Sequence, residues 1–95
     1  MNKRTKTAKQ MERHLKGLGN HYRIDILLHV SGKPGLTIDQ LAEGVDGNYK
    51  TISQHVRYLV HAGLLEVSHE STFAHIKLSP YGGACVEFLK KFQSL

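Results

Sequence analysis

Apolar positions follow a helical period up to residue 63 and then switch to the alternating period of a strand. Met11, Leu15 and Leu18 form one stripe of a first helix running from about Thr7 to Leu18, whose end Gly17 and Gly19 weaken. Asn20 caps a second helix, to about Ser31, that is apolar on several sides through Tyr22, Ile24, Ile26, Leu27, Leu28 and Val30. A helix apolar all round is expected at the centre of the core. Gly32-Lys33-Pro34-Gly35 breaks the pattern. Thr37 and Gln40 then make a capping box that opens a short helix through Glu43, with Ile38, Leu41 and Ala42 on its inner side. Gly44 to Gly47 is a turn.

The stretch Asp46 to Gly63 predicts a loop followed by one amphipathic helix with a signal at each end. Asn48 can cap its start, because its amide oxygen accepts an otherwise orphan N–H. Gly63 suits the left-handed position that closes a helix. Ile52, Val56 and Leu59 fall on one stripe; Lys50, Gln54, Arg57 and His61 face the other way, with Ser53 at the edge and no acid between them. A solvated surface would look the same on an isolated helix. Here, however, the helix follows a short helix and a glycine-containing turn, which is the helix-turn-helix arrangement. Fork-shaped Arg, amide-bearing Gln and hydroxyl Ser are side chains that match base edges in a DNA major groove. Asn48, Tyr49, Lys50, Ser53, Gln54, Arg57 and His61 are therefore the candidate DNA contacts, Tyr49 toward a phosphate or a thymine methyl.

After Gly63, Leu65 and Val67 alternate with polar residues, as do Ala74, Ile76 and Leu78, predicting a hairpin. A tip at Ser71-Thr72 would pair Val67 with Ile76, Leu65 with Leu78, and Glu66 with Lys77 as an opposite-charge pair. Ser-Thr is not a preferred two-residue turn. Ser79 caps a last helix with Pro80 in its first turn. Tyr81, Cys85, Phe88, Leu89 and Phe92 give that helix a broad apolar side, which with Met11, Leu15 and Leu18 exceeds what one small core covers. Two-fold pairing of the terminal helices would bury these residues, so a homodimer is expected with that set at its interface.

A chain of 95 residues supports one domain: residues 11–95, preceded by a basic tail over 1–10 that holds Lys3, Arg4, Lys6 and Lys9. The net charge of +5 (13 basic against 8 acidic residues) fits nucleic acid or an anionic surface. Cys85 is the single cysteine, so there is no intrachain disulfide and no paired-cysteine zinc site. No apolar run is long enough to span a bilayer, and the N-terminus lacks the apolar core of a signal peptide, so the cytoplasm is the default location. There is no phosphate loop, HExxH pair or nucleophile motif, and an enzyme is not expected.

The predicted class is mainly α with a small β-hairpin wing, in the order α-α-α-α-β-β-α. Over roughly Leu18 to Leu89 the sequence resembles the winged helix-turn-helix regulators of the ArsR type. Leu18 to Leu27 is similar to the family's LADPTRLRIL segment, with Arg23 at its arginine. Leu36 to Ala42 matches the positioning helix, Ile52 to Leu59 looks like VSRHLKVL, Ala62 to Leu65 like AGLV, and Leu78 to Gly82 like LTPxG. Each fragment is weak alone; five in order carry the resemblance.

The resemblance implies a prokaryotic, dimeric, DNA-binding transcription regulator, in most cases a repressor. Its reading helices would sit about 34 Å apart on a palindromic operator of double-stranded DNA. His55, at the family's frequent His position, lies beside the buried stripe and is expected to make a structural hydrogen bond. Where many relatives carry a metal-binding cysteine pair, this chain has Thr37 and Asp39, and its last helix offers Glu87 without His; no metal and no cofactor is expected. His21, Asp25 and His29 share one side of the second helix, but His21 and His29 are about 12 Å apart along its axis. Glu70, with Ser71 and Thr72, replaces the usual arginine at the wing tip, where an acid would be repelled by phosphates unless His69 or His75 is protonated. A different class of function, a winged helix serving as a protein-interaction module in a transcription or chromatin assembly, fits the same fold.

Overall fold

Each of the five helices begins at a residue whose side chain accepts a backbone N–H of the first turn. In the computed structural model, which describes residues 5–69 and 71–95, α1 spans Ala8–Leu15 and α2 His21–Gly32. Helices α3 and α4 span Ile38–Gly44 and Tyr49–His61; strands β1 (Leu65–Ser68) and β2 (His75–Leu78) follow, and α5 spans Pro80–Gln93. Thr7 and Thr37 form complete capping boxes with Gln10 and Gln40. Asn20 accepts from the N–H groups of Tyr22 and Arg23, Asn48 from Thr51, and Ser79 from Gly82. Each such cap contributes about 1 kcal/mol, so these local choices agree with the global fold.

The first helix is shorter than its apolar period predicts. It ends at Leu15 and tightens into a 3-10 turn over Lys16–Leu18. Gly17, in that turn, is buried against Leu64 and Leu59; a Cβ there would lie 2.7 Å from the Leu64 Cδ1 atom. The basic tail's Lys3 and Arg4 lie outside the described residues, as does Glu70 of the wing.

The hairpin has the expected register, Leu65 opposite Leu78, Glu66 opposite Lys77 and Val67 opposite Ile76, and Lys77 Nζ stands 3.9 Å from Glu66. It does not run on to a two-residue tip. The ladder stops at Ser68 opposite His75, because Ser-Thr supplies no residue suited to the positive φ of a tight hairpin turn. The Ser71 hydroxyl instead accepts the Phe73 N–H and lies 2.9 Å from His75 Nε2. A pairing that the period did not reveal joins Leu36 to Ile76, with Gly35 N–H donating to the Ile76 carbonyl and Ile76 N–H to Leu36.

The central position predicted for the second helix holds: Ile26, Leu27 and Val30 are fully buried among Leu41, Ile52, Leu59, Leu64 and Ile76. From α5 the core takes Val86 and Leu89. Leu89, expected at a dimer interface, is 9% exposed and faces its own chain's core. Leu18 and Cys85 pack partly against that core, whereas Met11, Leu15, Tyr81, Phe88 and Phe92 stay exposed. No described helix is long and apolar enough to cross a membrane.

Candidate nucleic-acid interface

Helix α4 is held by three buried side chains and by both of its ends. Ile52, Val56 and Leu59 are sealed into the core. Burying side chains of this kind contributes roughly 1.5–3 kcal/mol each. At the N-terminal end, α3 closes with a Schellman turn in which Gly47 N–H donates to the Ala42 carbonyl and Asp46 N–H to Glu43. Asp46, not a glycine, takes the left-handed position, at φ 55°. The flanking glycines serve close approach instead. A Cβ on Gly47 would meet the Ile52 side chain at 2.7 Å, and one on Gly44 would meet the His29 ring at 2.9 Å.

At the C-terminal end a second Schellman turn forms around Gly63, at φ 79°: Leu64 N–H donates to the Leu59 carbonyl and Gly63 N–H to Val60. Two further carbonyls are taken from outside the helix. Arg13 donates from Nε and Nη2 to His61 O at 3.1 and 2.9 Å, and His14 Nδ1 lies 2.7 Å from Ala62 O. Ser79 continues the series, its hydroxyl donating to the Gly63 carbonyl at 2.6 Å and its N–H to Leu64 at 3.1 Å. Sequence reasoning missed Arg13 and His14. Their partners are backbone oxygens 48 positions away, which no residue pattern marks; the only local trace is that both residues of this basic pair stand in the last turn of α1.

With its ends fixed, α4 turns Tyr49, Lys50, Gln54, Arg57 and His61 outward as exposed side chains, and Ser53 stands half-buried at the edge of that face. Asn48 is also exposed, but its side-chain oxygen is committed to the Thr51 N–H at 2.8 Å. The backbone of His61 is engaged by Arg13, and its ring lines a small cleft with Lys9, Glu12, Lys16 and Tyr58. The outer face thus keeps the predicted cationic and amide groups within two turns of one rigid helix.

His55 lies off this face. Its ring stacks on Tyr22 at 5.6 Å between centroids, so the expected structural role takes the form of a ring contact. Burial, with the positive charge of Arg23 and His21 beside it, lowers the imidazole's pKa and favours its neutral form. Arg23 sits over the Tyr58 ring at 3.9 Å, a cation–π contact that bridges α2 and α4.

The histidines of α2 are engaged separately. His29 Nδ1 lies 3.1 Å from the Asp25 carbonyl and its ring packs by Gly44. Among the described residues no three His, Cys, Asp or Glu side chains converge on a point that could hold a metal. The Thr37 side chain is occupied as the α3 cap. Burial pushes the Cys85 thiol up in pKa, away from reactive thiolate.

Residues 18–68, more than half of the chain, match the family described as helix-turn-helix domain. The chain belongs to that family. No curated protein sequence matches it, but solved structures do. HlyU from Vibrio cholerae superposes with a TM-score of 0.83 at 22% identity, over 97% of this chain and all (100%) of HlyU. The domain of Mb0332 from Mycobacterium bovis gives 0.77 at 23% identity, over 90% of this chain and 79% of its own. That domain is a homodimeric winged helix-turn-helix DNA-binding domain of a possible ArsR-family transcriptional regulator. The ArsR family transcriptional regulator RHA00566 gives 0.71 at 17% identity, over 96% and 94% of the two chains. The fold is therefore the winged helix-turn-helix that the sequence resemblance implied.

Proposed function

We propose that this chain is a transcription regulator, acting as a repressor, that binds double-stranded DNA as a homodimer in the cytoplasm and reads a palindromic operator with its two α4 helices. The observation that carries this reading is the outer face of α4: exposed Lys50, Gln54 and Arg57, free of acids, on a helix whose inner face and both ends are locked. A rigid helix with donors in fixed places can meet base edges without first paying to order itself. Lys50 and Tyr49 stand at the helix start, where phosphate contacts set register. Pairing is supported by the exposed Met11, Leu15, Phe88 and Phe92, and by the homodimeric state of the Mb0332 domain. Tyr81, Leu18 and Cys85 are more engaged within their own chain and would contribute less.

Selection of bound fragments from genomic DNA, followed by footprinting, tests the reading directly. A palindromic footprint longer than one helical turn is expected. Affinity should fall linearly on a log–log salt plot, with a slope of about −0.9 per phosphate neutralised; a shallow response would favour the protein-docking alternative. Each side chain that grips a base edge through two hydrogen bonds supplies about 1–3 kcal/mol of discrimination. Replacing Arg57 and Gln54 together with alanine should therefore weaken operator binding by at least one such increment. Unchanged affinity in a variant that folds normally would sink the assignment.

A further inference from the structure

Helix α4 ends with four carbonyls for which its own ladder has no donor: those of Leu59, Val60, His61 and Ala62. The Schellman turn takes the first two. Helix α1 takes the other two, through Arg13 on His61 and His14 on Ala62. A carbonyl oxygen only accepts, so His14 carries a proton on Nδ1. The Arg13 charge stands at the negative end of the α4 dipole, where a cation is favoured. His14 is buried at 8% exposure and stacks on the Tyr81 ring at 4.7 Å, which ties the same joint to the start of α5. Met11 and Leu15 of the same helix are exposed and line a separate groove with Ala8, Glu12 and Lys16. Two turns of one helix therefore grip the end of α4 and also present exposed apolar side chains.

We infer that Arg13 and His14 are positioning residues that fasten α4 to α1, so that pairing of two chains through α1 sets the spacing of the two α4 helices. The inference rests on the reading above, that α4 enters duplex DNA and that the chain pairs. Asn48, the Schellman turn and the buried stripe keep α4 folded without the two donors. Removing them therefore loosens placement rather than helix, and the quantity that suffers is discrimination between half-site spacings.

The experiment uses the full chain and three duplexes: the selected operator, the same operator with its spacer lengthened by one base pair, and a single half-site. The wild-type protein is expected to prefer the native spacing. Arg13→Ala with His14→Ala should lower that preference by about tenfold, as expected for removing two hydrogen-bonding side chains, one of them charged, while half-site affinity stays within about twofold. His14→Gln, which keeps a side-chain N–H donor, and Arg13→Lys should each restore part of the preference. If the double variant fails to fold, Arg13→Ala alone, at an exposed side chain, should still lower the preference about threefold. A folded variant with undiminished spacing preference overturns the inference and leaves the DNA-reading assignment standing. Equal losses on half-site and operator also overturn it, since they would mark a purely structural role. If the wild-type chain binds none of the duplexes, the assignment itself falls and the inference with it.

Discussion

Leu59 and Phe92 are both large apolar side chains on amphipathic helices, yet Leu59 is fully buried and Phe92 is 65% exposed. The contrast extends to their surroundings. Around Leu59, one chain closes everything: α2, α3, α4 and the wing share one core, and the carbonyls from Leu59 to Ala62 all have donors. Around Phe92 the single chain leaves Phe88 as its stacked neighbour at 6.0 Å, 56% exposed, while Met11 and Leu15 stand open on α1. The difference teaches that the core closes without the apolar surface that the proposed pairing would cover. The helix-turn-helix body is closed within one chain, and the terminal helices leave large apolar side chains exposed.

The contrast breaks first at Gly82, where α5 starts on top of the body. A Cβ there would overlap the Leu64 carbonyl oxygen, which is backbone and cannot swing aside. Gly82→Val should destabilise the fold by more than about 3 kcal/mol, the upper range for overpacking, read as a drop in the urea midpoint. This also explains the glycine in the Leu78-Ser79-Pro80-Tyr81-Gly82 motif: Ser79 grips the Gly63 and Leu64 carbonyls, and only a residue without a Cβ lets the following turn come that close.

Phe88→Ser with Phe92→Ser sharpens the contrast from the other side. Both rings are outside the core, so single-chain stability should move by no more than about 0.5 kcal/mol. The proposed dimer should lose about 2–3 kcal/mol or more, as for interface aromatics, seen by sedimentation as a dissociation constant raised roughly 30-fold or further. A variant that remains fully dimeric would place the pairing surface elsewhere.

A smaller effect separates the two turns that bracket α4. Both are Schellman turns, but Gly63 holds the left-handed position in one and Asp46 in the other. An aspartate tolerates that conformation at some cost, and glycine does so freely. Asp46→Gly should stabilise the protein by a few tenths to about 1 kcal/mol, and Asp46→Val should destabilise it, both by thermal midpoint. Equal midpoints for wild type and Asp46→Gly would mean the left-handed cost is already compensated.

These positions also show what was legible before the structure. The caps at Asn20, Thr37, Asn48 and Ser79, the change of period after Gly63 and the Leu65–Leu78 register all depend on neighbours within a few residues, and all could be read. Leu89 could not. At 100° per residue, Gly82, Val86 and Leu89 share one sector of α5, and Tyr81, Phe88 and Phe92 the sector beside it. One broad apolar stripe is thus divided between core and surface, and only the packing of α5 on the body draws the line. The exposure of Lys50, Gln54, Arg57 and His61 on α4 is legible from the 100° period. The grip of Arg13 and His14 on the end of that helix is not, because backbone carbonyls carry no sequence signature.

The smallest effect concerns the ring between the body and the outer face. His55 stacks on Tyr22 with its pKa held below the ordinary 6.5, first by burial and then by the charges of Arg23 and His21. In the unfolded chain the imidazole regains its ordinary affinity for a proton. Between the lowered folded value and 6.5 the unfolded chain therefore binds more protons, and stability rises with pH across that window. The contribution is fully present above 6.5 and is lost as pH falls through the folded value. His55→Phe keeps a ring for Tyr22 to stack on but cannot titrate. Urea midpoints taken from about pH 5 to 7.5 should rise less steeply in the variant than in the wild type. Parallel curves would assign the slope to other groups and leave His55 as packing alone.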